Sequence, residues 1–371
     1  MVDLQNQYLR LKGEIDRQVE QVMLESAFIK GRFVDSFQQA LSDYHRGCHV
    51  IPCANGTDAL QLALMALDLQ PGDEVIVPAF TYAATAEVIA LLGLTPVLCD
   101  VDEKTFNATV EQINGCVSGK TKAIIVVHLF GQCSEMEEIM DFAHTNRIFV
   151  IEDNAQSIGS TYSFSSGVKK LAGTMGHIGT TSFFPSKNLG AYGDGGAVFT
   201  NDEVLAKRID TIANHGQPKK YYHDVVGCNS RLDGMQAAIL SVKLSHLDSF
   251  IASRQTLARK YDQSFASVYE LETPYVSTSS SHVYHQYTVK VKSGKRDALK
   301  AHLARQAIPS ALYYPLPLFE QKAFKDLAVL RGEYEVTKQL CKEVLSLPMH
   351  TEMSDSQSDY VVDGVNSFFN G

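Results

Sequence analysis

The sequence predicts an α/β fold, in which a mostly parallel sheet sandwiched by helices precedes a smaller C-terminal α+β domain. Short apolar segments alternate with helical segments of roughly 10–15 residues in the first half of the chain, which is typical of βαβ units. After Asn229 this alternation gives way to long segments with spaced apolar residues. We therefore expect a large domain over residues 1–235, and connecting helices with a small domain over residues 236–371.

The elements of the large domain begin with helices over residues 14–45, on either side of a loop at residues 29–32. The alternation then predicts strands at residues 49–53, 74–77, 96–99, 123–127, 148–151, 180–184 and 196–199. Helices are expected between them at residues 58–69, 83–92 and 136–144. The predicted strands are short and strongly apolar, as strands are when helices cover both faces of a sheet.

The second half of the chain predicts a different arrangement. Residues 232–269 contain few helix breakers and are expected to form long connecting helices. The polar residues 277–281 predict a loop. The remaining expected elements are a strand at 287–291, a helix at 296–305, a short strand at 311–314 and a last helix before Pro348.

Composition and charge narrow the classes of function. The 371 residues are 45% hydrophobic, and Lys and Arg (33) are outnumbered by Asp and Glu (42), a net charge of −9 that argues against general nucleic-acid binding. The seven cysteines contain no Cys-x-x-Cys pair, which argues against a disulfide framework or a zinc site. Without an apolar leader or membrane-length apolar run, the sequence predicts a soluble, cytoplasmic protein with no metal and no membrane partner.

Three segments that follow predicted strands carry candidate chemistry. Gly56 and Thr57 lie at a strand-to-helix turn, where a helix N-terminus can bind phosphate, although a plain helix cap explains the same residues. Asp153 follows an apolar strand, where it can hold a protonated ring nitrogen or cap the next helix. Lys187 lies in a Ser- and Gly-rich turn, either as a desolvated amine able to form a Schiff base or as an ordinary exposed lysine.

Together, these segments match what a pyridoxal phosphate site requires. That cofactor needs a lysine for its aldehyde, a carboxylate for its pyridinium nitrogen and a helix N-terminus for its phosphate. An aromatic side chain commonly covers one face of the ring. Tyr82 follows another strand and can provide this face, or it can be a half-buried packing residue.

Five motifs resemble those of the DegT/StrS family of sugar aminotransferases, which are fold-type-I pyridoxal phosphate enzymes. The matching segments are residues 55–60, 152–157, 182–187, 193–196 and 227–233. The resemblance implies that Lys187 holds the cofactor and moves the proton, and that Asp153 pairs with the pyridinium nitrogen. It also implies a homodimer with shared active sites and cofactor contacts at Gly56, Thr57, Tyr82, Gln156, Ser182 and, from the neighbouring subunit, Asn229.

The resemblance further implies transfer of an amino group from L-glutamate to a nucleotide-linked keto sugar. Residues 53–61, 80–87, 214–217 and 229–233 are similar to the subgroup that acts on UDP-2-acetamido-3-oxo-glucuronate. The expected product is a 3-amino sugar for cell-surface polysaccharide such as lipopolysaccharide O-antigen. A 3- or 4-keto-6-deoxy nucleotide sugar is an alternative substrate, and a pyridoxal phosphate-binding regulator without catalysis is an alternative function.

Candidate substrate contacts follow from charge and from position. Because the chain is acidic, a charged nucleotide sugar requires locally placed cations. Arg231 is the first candidate, since a guanidinium grips carboxylates and phosphates in a bidentate way. The basic patch at residues 219–223 either binds substrate or forms a solvated loop, and His215 either orients substrate or is structural. Tyr313 and Tyr314 stand where the family has a His-Tyr-Pro run near the sugar, and they depart from that run in their first residue.

Overall fold

The computed structural model describes residues 1–370, and the predicted alternation of strands and helices is present. The strands are β1 (His49–Cys53), β2 (Glu74–Pro78), β3 (Thr95–Cys99), β4 (Thr121–Val127), β5 (Phe149–Asp153), β6 (Thr161–Ser163), β7 (Lys169–Leu171), β8 (Ile178–Ser182), β9 (Gly196–Thr200), β10 (Leu271–Glu272), β11 (Tyr287–Val291), β12 (Val329–Leu330) and β13 (Val344–Leu347). The α-helices are α1 (Leu4–Glu25), α2 (Arg32–Tyr44), α3 (Gly56–Ala66), α4 (Ala84–Leu91), α5 (Val110–Asn114), α6 (Met136–Asn146), α7 (Glu203–Ala213), α8 (Gly234–Ser245), α9 (Leu247–Phe265), α10 (Arg296–Arg305), α11 (Glu335–Glu343) and α12 (Asp355–Asn370). Within residues 1–370, every helix is too short or too polar to span a bilayer.

Eight strands form the large sheet, in the order β1-β9-β8-β5-β4-β2-β3-β12. The six strands from β8 to β12 are mutually parallel, whereas β9 is antiparallel to both of its neighbours. The mostly parallel sheet expected from the sequence is therefore confirmed. Since β1 runs in the same direction as β8, the carboxyl ends of β1, β2, β4, β5 and β8 meet at one edge, which is where open α/β sheets bind ligands.

Helices cover both faces of this sheet because its strands are apolar on both sides. Helix α3 packs Leu62 and Ala63 against Ile151 and Val198 on one face. On the other face, α5 and α6 cover residues such as Ile124. Burying each large aliphatic side chain contributes roughly 1.5–3 kcal/mol, so this double covering supplies much of the stability of the fold.

Helix α9 joins the large sheet region to the C-terminal region. Its first turns place Leu247 and Ile251 in a core cluster shared with α2 and α8. Its last turns place Tyr261 and Phe265 against a three-stranded antiparallel sheet of order β10-β11-β13, which α10 and α12 also cover. The connecting helices predicted over residues 232–269 are α8 and α9.

The strand predicted at residues 311–314 is wrong. Only Ala311 pairs, exchanging two backbone hydrogen bonds with Ser346 (N···O 3.1 and 2.8 Å). The next residues turn away because Tyr313 and Tyr314 line a cavity, and Pro315 lacks the N–H that a continuing ladder needs.

The last helix is also not the one before Pro348. Helix α11 ends at Glu343, and the apolar residues that follow it form β13, the third strand of the small sheet. A further helix, α12, lies beyond Pro348 and buries Val361 and Val365 against that sheet. Because this segment contains many small and polar residues, the helical spacing of its apolar residues is hard to recognise in the sequence.

One short C-terminal strand belongs to the large sheet. Strand β12 pairs with β3 in parallel and forms the outer edge of the sheet. Next to it, Arg331 forms a bidentate ion pair with the buried Glu74 of β2 (2.6 and 3.0 Å). The chain therefore crosses back from the C-terminal region to complete the sheet.

Candidate active site

A cavity of about 620 Å³ opens at the carboxyl edge of the parallel strands. Segments that follow β1, β2, β5 and β8 line it, together with residues 285–286 and 313–314 from the C-terminal region. Nine residues singled out from the sequence meet around this cavity: Gly56, Thr57, Tyr82, Asp153, Gln156, Ser182, Lys187, Tyr313 and Tyr314.

Asp153 is the last residue of β5 and is the buried carboxylate of the cavity. Burial raises its pKa, against the opposing effects of a hydrogen bond from the Ala155 N–H (3.1 Å) and the charge of Lys187. The Thr85 hydroxyl donates to its second oxygen at 3.4 Å. A carboxylate removed from water in this way is suited to hold a cationic group, such as a protonated pyridine nitrogen.

A buried pair next to Asp153 fixes the end of β5 in place. His128 Nδ1 accepts a hydrogen bond from the Ser134 N–H (3.1 Å), so Nε2 carries the proton and donates it to Glu152 (2.8 Å). The His128 backbone N–H in turn donates to the Asp153 carbonyl (3.1 Å). Glu152 also accepts three backbone N–H groups at 2.6–2.8 Å, from Gly173, Met175 and Gly176.

Lys187 lies in a closed loop, residues 183–192, that follows β8. Its backbone N–H donates to the Phe184 carbonyl (2.8 Å), which forms a tight turn. Burial lowers the pKa of its ammonium group to about 8, while the charge of Asp153 opposes this shift. A lysine with such a pKa is partly neutral near physiological pH, and a neutral amine can attack an aldehyde.

The N-terminus of α3 and the end of β8 form a cradle for an anion. Asn55 caps the helix by accepting the Asp58 N–H (2.8 Å), and Gly56 is the first helical residue. A Cβ built on Gly56 would lie 2.6 Å from the Ser182 Cβ, so only glycine allows this contact. Gly56, Thr57 and Ser182 all line the cavity at the positive end of the helix dipole, so this corner fits a phosphate group.

Aromatic side chains form the wall of the cavity. The rings of Tyr82 and Tyr314 lie 6.5 Å apart between centroids. Gln156 accepts the Phe130 N–H (2.8 Å) and donates one Nε2 hydrogen to the Tyr314 hydroxyl (3.2 Å), which leaves its second Nε2 hydrogen available to a ligand. Burial raises the pKa of Tyr314, which therefore stays neutral.

Three predicted residues lie outside this cavity within the same chain. Asn229 is exposed and pairs its backbone with Asn214, and Arg231 donates to the Asn214 side chain at 3.5 Å. His215 is exposed, and its backbone bonds to Cys228 and His223. All three belong to the segment between α7 and α8, which the structure does not bring to this cavity.

Sequence reasoning missed several residues that line or support the cavity. His285 and Gln286 reach it from the segment before β11, and Asp194 lines it from the Gly-rich turn. Burial, followed by the charge of Lys187, holds the pKa of His285 well below its usual range, so its imidazole is neutral. A histidine directly before an apolar strand carries no sequence signal of its own. For His128, the signal was its place directly after a predicted strand, as for Asp153.

Comparisons with known proteins match this chain along nearly its whole length. The profile of the DegT/DnrJ/EryC1/StrS aminotransferase family matches residues 10–366. The "Pleiotropic regulatory protein" of Geobacillus stearothermophilus is 45% identical, with 100% of this chain and 98% of that protein covered. The UDP-2-acetamido-2-deoxy-3-oxo-D-glucuronate aminotransferase of Pseudomonas aeruginosa is 44% identical, with 94% of each chain covered. The crystal structure of S. venezuelae DesV in complex with a ketimine intermediate superposes with a TM-score of 0.95 at 33% identity, covering 100% of this chain and 98% of that one.

Proposed function

We propose a specific reaction for this chain, which belongs to the DegT/DnrJ/EryC1/StrS aminotransferase family and is a pyridoxal phosphate-dependent transaminase of nucleotide sugars. The proposed amino donor is L-glutamate. The proposed acceptor is UDP-2-acetamido-3-oxo-glucuronate, which yields the 3-amino sugar used in cell-surface polysaccharide such as lipopolysaccharide O-antigen. The 44% identity to the P. aeruginosa aminotransferase, which is named for this substrate, is the observation that carries the choice of acceptor.

The residues around the cavity have different proposed roles in such a reaction. Pyridoxal phosphate supplies an electron sink for the carbon that exchanges its proton. We propose that Asp153 keeps the ring nitrogen protonated, and that Lys187 holds the aldehyde and then moves the proton through its Nζ. We assign phosphate binding to the cradle formed by Gly56, Thr57 and Ser182, in line with their position at the N-terminus of α3.

The charges of the cavity support a site that two subunits share. Among its lining residues, which all lie in the described part of the chain, Lys187 is the one lysine or arginine, and Asp153 and Asp194 add two carboxylates. Both L-glutamate and a UDP-uronate are anions, so further cations must reach the cavity. The segment between α7 and α8 holds the half-buried Arg231 and the exposed basic residues 219–220, none of which pairs with a carboxylate in the described structure.

We therefore propose a homodimer in which this segment completes the site of the partner subunit, with Asn229 at the phosphate and Arg231, His215 and the partner's own tyrosines at the sugar. A mixing experiment tests the arrangement. Lys187→Ala and Asn229→Ala subunits, each inactive as homodimers, should regain about one quarter of wild-type activity when mixed equally, since half of the dimers then hold one intact site. If mixing restores no activity, Asn229 acts within its own subunit and the shared site is wrong.

The reaction itself is tested in two half-reactions. L-glutamate alone should convert the visible absorbance of the loaded enzyme to that of the amine form and release 2-oxoglutarate, since the two substrates use one site in turn. Mass spectrometry of products from a panel of keto sugars should then find amination of the UDP-3-oxo-uronate. Turnover of a dTDP-4-keto-6-deoxy sugar, with none of the uronate, would overturn the proposed acceptor.

A regulatory function is a second candidate, because the 45% identical protein of G. stearothermophilus is named a pleiotropic regulatory protein. The same glutamate experiment separates the two functions. A regulator that only binds the cofactor would keep its absorbance unchanged when L-glutamate is added. Conversion at a rate of about 1 per second or faster would be that of an ordinary enzyme.

We also propose a cytoplasmic location. All seven cysteines are free thiols, and six of them are buried. A chain rich in unpaired thiols suits a reducing compartment.

A further inference from the structure

A buried lysine lies behind the loop that carries Lys187. Lys243, on α8, has 1% of its surface exposed, and its ammonium has no carboxylate partner in the described structure. Burial lowers its pKa to about 7. Removing a lysine from water without an opposite charge is costly, whereas an apolar side chain of similar length would avoid that cost. Compared with such an apolar side chain, Lys243 offers one advantage, which is the set of contacts that its ammonium makes.

Those contacts are both with the loop of residues 183–192. The Lys243 Nζ donates to the Gly190 carbonyl at 2.7 Å and lies 4.1 Å from the centre of the Tyr192 ring. A cation this close to an aromatic face is attracted by up to about 2 kcal/mol when water is excluded. Gly190 is three residues from Lys187, so the bond reaches the segment that determines where the reacting amine stands.

A second side chain of α8 holds the same loop. Gln236 lies two helical turns before Lys243, on the same face of α8. Its Oε1 accepts the Tyr192 N–H at 2.9 Å, and its Nε2 donates to the Tyr192 carbonyl at 3.4 Å. The base of the loop is closed by the Ala191 N–H, which donates to the Phe183 carbonyl at 2.7 Å. The backbone of residues 190–192 is thus fixed from one helix.

We propose that Lys243 is a positioning residue for Lys187: its ammonium binds the Gly190 carbonyl and the Tyr192 ring and thereby sets the place of the Lys187 amine opposite Asp153. Without that contact the Gly190 carbonyl is left unpaired in the core, and the loop has fewer restraints. The Lys187 amine then spends less time at the distance that proton transfer requires. The residues proposed to bind the sugar lie outside this loop, so we expect KM to change little.

The ionisable groups near the two lysines leave the Lys243 ammonium without a carboxylate partner in the described structure. Lys187 faces Asp153 across the cavity and has the neutral imidazole of His285 nearby. Lys243 faces the phenol of Tyr192, and burial raises the pKa of that phenol to about 12, so it stays neutral. The ring of Tyr8 on α1 stacks edge-on against Tyr192 at 6.0 Å. The Asp16 carboxylate, which Lys12 binds, adds to the rise of the Tyr192 pKa, and the charge of Arg254 adds to the lowering of the His285 pKa. None of these groups is hydrogen-bonded to the Lys243 ammonium.

The test compares Lys243→Met, which keeps the volume, with Lys243→Gln, which keeps a hydrogen-bond donor. We expect Lys243→Met to lower kcat at least tenfold with KM for both substrates within twofold, and to move the pH midpoint of the visible absorbance of the cofactor-loaded enzyme by at least half a unit. Lys243→Gln should recover part of both effects. Lys207→Met, an exposed lysine on α7, is the matched control and should change neither.

Two results would overturn the inference. One is Lys243→Met with the kcat and absorbance midpoint of the wild type. The other is a Lys243→Met variant in which kcat falls, KM rises and the melting temperature drops. That result would indicate that Lys243 only stabilises the fold. Because the inference rests on Lys187 as the reacting residue, Lys187→Ala is measured in parallel. If that variant keeps the visible band, the role of Lys187 fails; if it loses the band while Lys243→Met is unchanged, only the positioning role fails.

Discussion

Replacing Lys187 by Met in the cofactor-free protein should stabilise it, because the fold holds this amine at an energetic cost. Its pKa falls from the ordinary 10.5 of lysine to about 8 through burial. One unit corresponds to 1.36 kcal/mol, so, after allowance for partial exposure of the side chain, the cost near pH 7 is about 2–3 kcal/mol. A methionine fills a similar volume and carries no charge to desolvate.

The stability difference between Lys187→Met and the wild type should depend on pH. Below pH 8 both the folded and unfolded chains hold the Lys187 proton, and the full cost is present. Between pH 8 and 10.5 the folded chain has released the proton while the unfolded chain keeps it, so wild-type stability rises with pH relative to the variant. The advantage of Lys187→Met should therefore shrink by about 1 kcal/mol from pH 7 to pH 9.

Urea unfolding of both apoproteins at pH 7 and pH 9 measures this difference. The packing of the methionine affects stability alike at both pH values, and the attraction of the Lys187 ammonium to Asp153 is already contained in the pKa of Lys187, so the change between pH 7 and pH 9 isolates the titration of Lys187. Lys207→Met, on the exposed face of α7, should change stability by less than about 0.5 kcal/mol at either pH. An advantage of Lys187→Met that stays constant or grows towards pH 9 would refute a desolvated lysine at this site.

Three further substitutions test other parts of the structure. Gly56→Ala should weaken cofactor binding at least tenfold in an absorbance titration, since its Cβ would lie 2.6 Å from that of Ser182; unchanged affinity would exclude a phosphate cradle there. Arg331→Met should lower the free energy of unfolding by about 1–3 kcal/mol at pH 7, because Glu74 stays buried and charged. Arg331 holds the Glu74 pKa low, so the loss of unfolding free energy should diminish as the pH falls through 4. An equal loss at pH 7 and below pH 4 would contradict the ion pair. Asp153→Asn should retain bound cofactor but lower kcat at least 100-fold in steady-state assays, and activity near that of the wild type would exclude pairing with the ring nitrogen.

The parts of the fold that sequence reasoning predicted are those governed by local pattern. The strand at 287–291 and the helix at 296–305 are at the predicted residues, because a short run rich in β-branched and aromatic residues predicts a strand, and a run with Leu and Ala spaced along it predicts a helix. Residues 311–314 have a strand-like composition, but their tyrosines point to a cavity rather than to a sheet. Strand β12 has two residues, and its pairing with β3 is a contact across more than 200 residues that no local pattern encodes.

The residues of the candidate site also fall into two groups, those that the sequence pattern predicted and those that only tertiary packing brings to the cavity. Asp153, Lys187 and Gly56 each lie at or after the carboxyl end of a strand, and parallel strands bring these ends together, so their positions in the sequence predicted that they meet. His285 and Gln286 come from the opposite half of the chain and join the cavity only through tertiary packing. Lys243 was hidden for a related reason: it lies in a helix with spaced apolar residues, where a lysine is expected on the solvent side.

The crossing of the chain from the C-terminal region back to β12 has a consequence for synthesis. During translation β3 leaves the ribosome early, yet the strand that covers its outer edge follows more than 200 residues later. At typical elongation rates the open edge of β3 waits about 10 to 50 s for its partner. Over that interval the nascent sheet exposes unpaired backbone groups to other chains. The tyrosines at 313–314 emerge in the same late part of synthesis. A polypeptide that stops before them therefore lacks both the strand that covers the edge of β3 and the aromatic wall of the cavity.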